Sequence, residues 1–232
     1  MNKIKCIIPA RLNSSRFPQK VLKKIKNKTV LQHCIDNAKT ANLIDEVIVA
    51  TPNRKIFNQY KPSIITKDHT TCTGRVCEAS YHVEADYIVN LQSDEPCISG
   101  DIIDQMIGKV KKNTVIQACY PVTKKEIYNP HIVKAIINNG EIIYLTRKID
   151  NEILNSKNVL GICGAYIYDV DTIRNFYCYD LELVNSWKGL DTLAFIGVVK
   201  VLPFIMEERT PAVDIEQDII TVENYYDKRR NY

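Results

Sequence analysis

Tyr87-Ile88-Val89-Asn90-Leu91-Gln92-Ser93-Asp94-Glu95-Pro96 opens as an apolar run and closes as an acidic turn. An apolar run without polar alternation reads as a strand buried on both faces. Upstream, Lys5-Cys6-Ile7-Ile8 has the same character and stops at Pro9. Val47-Ile48-Val49-Ala50 repeats it, and Ile64-Ile65 is a shorter version. Between these runs the period changes to that of helices. Thr29 is a candidate N-cap before the face formed by Val30, Leu31, Cys34, Ile35 and Ala38. Residues 73–84 read as a second helix, and 99–112 as a third through Ile102, Ile103, Met106 and Val110. Buried strands alternating with helices predict an α/β fold whose parallel sheet is covered on both faces.

Further along the chain the pattern becomes mixed. Val115–Val122, Val133–Asn138 and Ile142–Thr146 are strand candidates, and Asn138-Asn139-Gly140 is a hairpin turn signal between the last two. Val159–Tyr168 and Val198–Leu202 are further strands, with helices expected at 170–177, 188–195 and 215–227. No repeat or low-complexity linker divides the 232 residues, so a single domain is the simplest organisation.

Composition narrows the class. Apolar residues are 45% and charged residues 25%, ordinary for a globular chain with a real core. The net charge of +4 suits an anionic small ligand. The basic stretch 16–28 carries one aromatic, Phe17, which speaks against a nucleic-acid partner. No apolar run reaches the length of a membrane span, and the segment before Pro9 is too short for a signal peptide. The eight cysteines contain no CxxC pair or zinc spacing, so they are expected to be reduced, in a cytoplasmic protein.

In an open α/β sheet the ligand lies beyond the carboxyl ends of the strands. The loops 9–28, 66–75 and 92–96 are therefore expected to converge. The first contains Pro9-Ala10-Arg11-Leu12-Asn13-Ser14-Ser15-Arg16-Phe17-Pro18-Gln19-Lys20. Three cations among small residues directly after a strand can cradle a polyphosphate, although a solvated basic loop has the same composition. Neither GxxxxGK[ST] nor GxGxxG is present. Asp94 and Asp214 are carboxylates of the kind Mg2+ takes together with phosphate oxygens. Each also has a plain alternative: Asp-Glu-Pro as a helix start, and Asp214 as an N-cap. Of the four histidines only His69 falls in one of these loops, while His33, His82 and His131 are expected in packing or on the surface.

Five ordered motifs then carry a resemblance over roughly residues 4–226. They are Ile8-Pro9-Ala10-Arg11 with Ser15-Arg16-Phe17-Pro18-Gln19-Lys20-Val21-Leu22; Asp68-His69-Thr70-Thr71-Cys72-Thr73-Gly74-Arg75; Asn90-Leu91-Gln92-Ser93-Asp94-Glu95-Pro96; Asn129-Pro130-His131-Ile132-Val133-Lys134; and Val213-Asp214. Together they resemble the 3-deoxy-manno-octulosonate (Kdo) cytidylyltransferases, enzymes that make CMP-activated sugar acids. The resemblance implies a three-layer Rossmann-like nucleotidyltransferase fold with a mixed, mainly parallel sheet. It also implies a small β dimerisation arm near 120–160, and a homodimer. The implied reaction is Mg2+-dependent transfer of CMP from CTP to the anomeric hydroxyl of a sugar acid, with release of pyrophosphate, in lipopolysaccharide or capsule synthesis. Carried over by position, Arg11 and Lys20 match the triphosphate-binding pair, and Arg16 the arginine between them. These three and Asp94 are the implied catalytic residues, and Asp94 and Asp214 the implied Mg2+ ligands. Pro9, Ala10, Arg11, Lys20, Asp68, Thr71, Thr73, Arg75 and Gln92 would bind the nucleotide, and Arg147 and Glu95 the sugar.

The sugar side departs from the family pattern. Ser93 replaces a glycine, Val159 and Cys163 stand where a His and a Tyr approach the sugar, and an acidic helix pattern is reduced to Lys188-Gly189-Leu190-Asp191-Thr192-Leu193-Ala194. A site that changes its donors usually changes its substrate. The open alternatives are a different acid or amino sugar, such as 8-amino-Kdo or a nonulosonate, and a nucleotide-binding regulatory protein without turnover.

Overall fold

The computed structural model describes residues 2–14, 16–149, 158–178 and 190–230. Strands β1 (Ile4–Pro9), β4 (Glu46–Thr51), β5 (Ser63–Ile65) and β6 (Tyr87–Leu91) pair in parallel, with β1 between β6 and β4. The second block contains β7 (Thr114–Pro121) and β11 (Lys200–Ile205), parallel to each other. Strand β10 (Val159–Asp169) lies between the blocks, antiparallel to both β6 and β7. The sheet order is β11-β7-β10-β6-β1-β4-β5. It follows from these pairings that β7 and β11 run in the same direction as β1, β4, β5 and β6. A hairpin of β8 (Lys134–Asn138) and β9 (Glu141–Thr146) branches from β10. Asn138 pairs with Glu141 across Asn139 (φ 49°) and Gly140 (φ 79°), the left-handed pair that a two-residue hairpin turn requires.

The alternating side chains of β1 place the layers. Cys6 and Ile8 pack against α1 (Val30–Ala38) and α4 (Gly100–Ile107) through Leu31, Cys34, Ile103 and Met106. Ile7 faces the other layer, with Val76 and Cys77 of α3 (Cys72–Ser80). This is the three-layer α/β/α arrangement expected from the buried strands. Thr29, Thr71 and Ser99 cap the three helices by accepting hydrogen bonds from the backbone N–H groups of Gln32, Gly74 and Ile102. Two helices run shorter than the periodicity suggests, because the apolar stripes continue beyond the last helical turn. Among the described residues no helix is long and apolar enough to cross a membrane.

Other elements differ from the sequence reading. The stretch read as a loop contains a small hairpin, β2 (Lys24–Ile25) with β3 (Lys28–Thr29). Its two-residue strands are too short to show a period. Short helices α2 (Arg54–Gln59) and α5 (Lys124–Ile127) and the helix α6 (Val170–Arg174) flank the sheet. In place of a helix over 188–195, the described part is a 3-10 turn at Asp191–Ala194; Lys188 and Gly189 lie outside the described residues. The final helix α7 starts late, at Asp218–Arg230. Asp218 Oδ2 accepts from the N–H groups of Asp214 (2.7 Å) and Ile215 (2.9 Å), which holds 214–217 as a turn. Asp214 is therefore not an N-cap.

Gly161 of β10 passes so close to Tyr120 of β7 that a Cβ there would lie 2.3 Å from the ring. Tyr120 is 1% exposed and has little room to retreat. Gly161→Ala should therefore destabilise the chain by about 1–3 kcal/mol. Urea denaturation with an unchanged midpoint would contradict this packing.

Candidate active site

The parallel strands all end on one edge of the sheet, and a cleft of about 350 Å3 lies there. The loop after β1 turns back on itself, with Gln19 N donating to Leu12 O at 3.0 Å and Gln19 at φ 57°. That reversal brings Lys20 to the acidic turn after β6. Lys20 Nζ is 2.6 Å from Asp94 Oδ2, donates to Val213 O at 3.0 Å and lies 3.6 Å from Asp214 Oδ1. Arg16 contacts the same Asp214 oxygen at 2.9 Å. Burial lowers the affinity of Lys20 for its proton, but the Asp94 and Asp214 charges outweigh it and hold the ammonium above its ordinary value. Lys20 is therefore a permanent cation at neutral pH.

The antiparallel strand closes the floor. β10 bulges between Ile162 and Tyr166, and Gly164 in the bulge is bonded twice to the acidic turn. Gln92 N donates to Gly164 O at 2.7 Å, and Gly164 N donates to Glu95 Oε1 at 2.6 Å. Glu95 is 7% exposed, and its Oε2 has no partner among the described residues. Burial, reinforced by the Asp94 charge, pushes its carboxyl up to about 8. Burial also raises Asp191, whose Oδ2 accepts from Thr73 N at 3.2 Å.

The cleft gathers Pro9, Arg11, Arg16, Lys20, Thr71, Gln92, Asp94, Glu95, Arg147 and Asp214, all drawn from motifs read in the sequence. Four other expected nucleotide contacts do not line it. Ala10 is fully buried, its N–H donating to Ala50 O at 2.9 Å. Thr73 is buried under the start of α3. The Arg75 guanidinium is inside the fold, 3.5 Å from Asp68 and donating to His69 O at 3.4 Å. Asp68 and His69 line a separate shallow cavity with Lys67, Glu78 and Tyr81, and His69 Nε2 bonds Glu78 Oε2. Helix α3 turns its polar residues inward here, which its apolar spacing does not foretell.

Other wall residues escaped the sequence reading: Ser14, Tyr120, His131, Asp191 and Arg209. His131, expected in packing or on the surface, is exposed, and it also lines the cleft. It is carried there by buried Lys134, whose Nζ donates to the carbonyls of Asn129 (2.9 Å), Ile132 (2.9 Å) and Arg147 (2.6 Å). Arg147 Nη1 in turn donates to His131 O at 3.2 Å. His33 behaves as expected, bonded to Ile25 O and stacked on Tyr226. The signal for Tyr120 and Arg209 was the shared direction of β7 and β11 with the first block. It puts the carboxyl end of β7 and the loop after β11 on the ligand edge.

The donor set is informative. The carboxylates of Asp94 and Asp214 converge on one ammonium, so both oxygens already face a cation, and they are hard ligands of the type Mg2+ prefers. Among the described residues no group of three or more His, Cys, Asp and Glu could hold a metal without help. Phosphate oxygens and water would have to complete the shell. Burial raises the Cys72 thiol to about 11 and holds the Cys163 thiol well above its ordinary value, so neither is a nucleophile at neutral pH. Cys6, Cys34, Cys72, Cys97, Cys119 and Cys163 form no disulfide among the described residues.

With this geometry established, comparison with known proteins is specific. A family model described as "Cytidylyltransferase" matches residues 5–161. The 3-deoxy-manno-octulosonate cytidylyltransferase of Thermodesulfovibrio yellowstonii is 32% identical, across 94% of this chain and 96% of that protein. The protein of the same description from Chlamydia pneumoniae is 28% identical, across 94% and 92%. A solved CMP:2-keto-3-deoxy-manno-octonic acid synthetase complexed with CTP superposes with a TM-score of 0.87 at 25% identity, covering 98% of this chain and 99% of its own. A UDP-glucose pyrophosphorylase complexed with UDP-glucose shares the fold, with a TM-score of 0.76 at 17% identity over 99% and 100% of the two chains.

Glu95 provides a stability test. The folded carboxyl keeps its proton to about 8, whereas an ordinary glutamate releases it near 4.5. Its contribution to stability is thus complete below the lower value and is lost as pH rises through the higher one. In chelator, the thermal midpoint of the wild type should fall between about pH 5 and pH 8, and Glu95→Gln should flatten that fall. Parallel pH profiles for the two proteins would refute the assignment.

Proposed function

This chain belongs to the cytidylyltransferase family, and from that premise we propose that it transfers CMP from CTP to the anomeric hydroxyl of a Kdo-like sugar acid and releases pyrophosphate. The observation that carries the reading is that one cleft is lined by Arg11, Arg16, Lys20, Asp94 and Asp214, the last four in a single ion-pair cluster. The reaction forms a bond between the acceptor oxygen and the α-phosphorus and breaks the bond to the β-phosphate oxygen. Negative charge grows on the α-phosphate oxygens and on the leaving pyrophosphate. Arg11, Arg16 and Lys20 are fixed cations aimed at that charge, and they need no rearrangement of water to act. Arg11 suits this role because no carboxylate lies within ion-pair distance of it among the described residues. Pro9, Thr71 and Gln92 line the nucleotide side of the same cleft, and Arg147 and Glu95 the acceptor side.

Asp94 and Asp214 are the residues that would hold Mg2+. When bound, the ion supplies charge neutralisation at the phosphates and acidifies the attacking hydroxyl. No histidine base is needed in this reading. Two copies of the chain pair through the β8–β9 arm, a reading supported by Ile143 and Tyr144 of β9, which are 47% and 53% exposed. The free thiols support a cytoplasmic location, and lipopolysaccharide or capsule synthesis is the process such a product would feed.

The test is pyrophosphate release from CTP with Mg2+, across Kdo, 8-amino-Kdo, N-acetylneuraminate and a control without sugar. Turnover should require one of the acids. Asp94→Ala should reduce it roughly 100-fold or more, and Lys20→Ala should raise the KM for CTP. Wild-type silence across the panel would refute the reading, and full activity of Asp94→Ala at saturating Mg2+ would remove the metal assignment.

A further inference from the structure

Arg209 is a cation on the cleft wall that the phosphate chemistry does not use. Backbone bonds fasten its segment at both ends: Met206 N donates to Cys119 O at 2.8 Å, and Val213 N to Asp94 O at 2.8 Å. Its neighbour Thr210 is buried. Among the described residues the guanidinium has one carboxylate within reach, Glu126, at 3.4 Å from Nη1. That pair is long, and the Arg209 side chain is 45% exposed. Glu126 is also committed elsewhere, since its Oε2 accepts from both the N–H and the hydroxyl of Thr123 in the cap of α5. The backbone, more than the salt bridge, sets where Arg209 stands.

Its surroundings narrow what it can bind. The guanidinium lies 5.6 Å from the centre of the Tyr120 ring, on the wall shared with Cys163 and Gly164, and none of these is positive. Glu95, the carboxyl of that wall, is turned to the backbone of β10, its Oε1 accepting from Gly164 N at 2.6 Å. Arg147, by contrast, sits in the field of Arg16 and Asp214. A second anion entering with the nucleotide would therefore meet Arg209 on the side away from the phosphate cations. In a 2-keto sugar acid the carboxylate is bonded to the anomeric carbon, beside the reacting hydroxyl, so its receptor must adjoin Asp94. The segment of Arg209 does so through the Val213–Asp94 bond.

We propose that Arg209 is a specificity-determining residue that binds the carboxylate of the acceptor through its planar fork of donors. The assignment rests on the cytidylyl-transfer reading above. Its test uses the panel acid that the wild type turns over, together with the C1 carboxamide of that acid, in wild type, Arg209→Gln and Arg209→Lys. The wild type should prefer acid to amide. Arg209→Gln should raise the KM for the acid about 10–100-fold, the loss expected for one charge-assisted hydrogen bond. It should leave the KM for CTP unchanged and bring the acid-to-amide ratio close to unity, and Arg209→Lys should restore part of the preference. Arg209→Lys also separates loss of the charge from loss of the fold. An active wild type that uses acid and amide equally, or an Arg209→Gln enzyme that keeps the wild-type ratio, overturns the Arg209 assignment alone. A wild type that releases no pyrophosphate with any acid overturns the transfer reading instead.

Discussion

The ammonium of Lys20 sits between two carboxylates contributed by segments far apart in sequence, Asp94 after β6 and Asp214 before α7. The rest of the active edge depends on this arrangement. Without the cation, two acidic groups and a backbone carbonyl would face one another at the rim of a narrow cleft. In a fully buried pair, losing one partner costs about 3–5 kcal/mol; here the carboxylates are 22% and 41% exposed, so solvent screening reduces the cost. The cluster also explains the backward turn of the loop after β1. Only that reversal brings Lys20 back from the far side of Arg11 and Arg16 to the carboxyl end of the neighbouring strand. Each anionic ligand that enters must share these cations with the resident aspartates, which ties phosphate affinity to the state of the carboxylates.

Much of the fold could be read from residue pattern, because its decisive elements are buried on both sides. Tyr87–Leu91 and Lys5–Ile8 have few alternatives once they are recognised as unalternated apolar runs. The turn at Asn139-Gly140 was equally readable, since few residue pairs accept two consecutive left-handed conformations. The misses have physical causes. The β2–β3 hairpin is too short to show a period. The start of α7 is set by the Asp218 side chain holding a turn closed, a tertiary detail that helical spacing does not carry.

The site divides along the same line. Residues supplied by loops directly after readable strands, such as Arg11, Lys20, Gln92 and Asp94, came together in the cleft. Arg75 and Thr73 did not, because α3 turns that side of itself into the interior. Tyr120 and Arg209 belong to β7 and to the loop after β11, and their place on the ligand edge follows only when strand direction is known. Apolar pattern reports burial but is silent about direction. The insertion of β10 against the run of its neighbours therefore hid half of the wall.

That counter-running strand separates the sheet into two blocks with different duties. The loops of the first block hold Arg11, Arg16, Lys20 and Asp94, and Asp214 joins them from the segment after β11. The second block, with the bulge at Gly164 and the segment 206–213, shapes the space where an acceptor would lie. The blocks meet along the β6–β10 ladder and through backbone bonds from Gln92 N to Gly164 O and from Val213 N to Asp94 O, which do not depend on the side chains around them. Such a seam lets one half of an enzyme drift while the other stays under constraint. A lineage can exchange the molecule it activates by altering β7, β10 and the loop after β11, and keep an unaltered apparatus for spending a nucleotide.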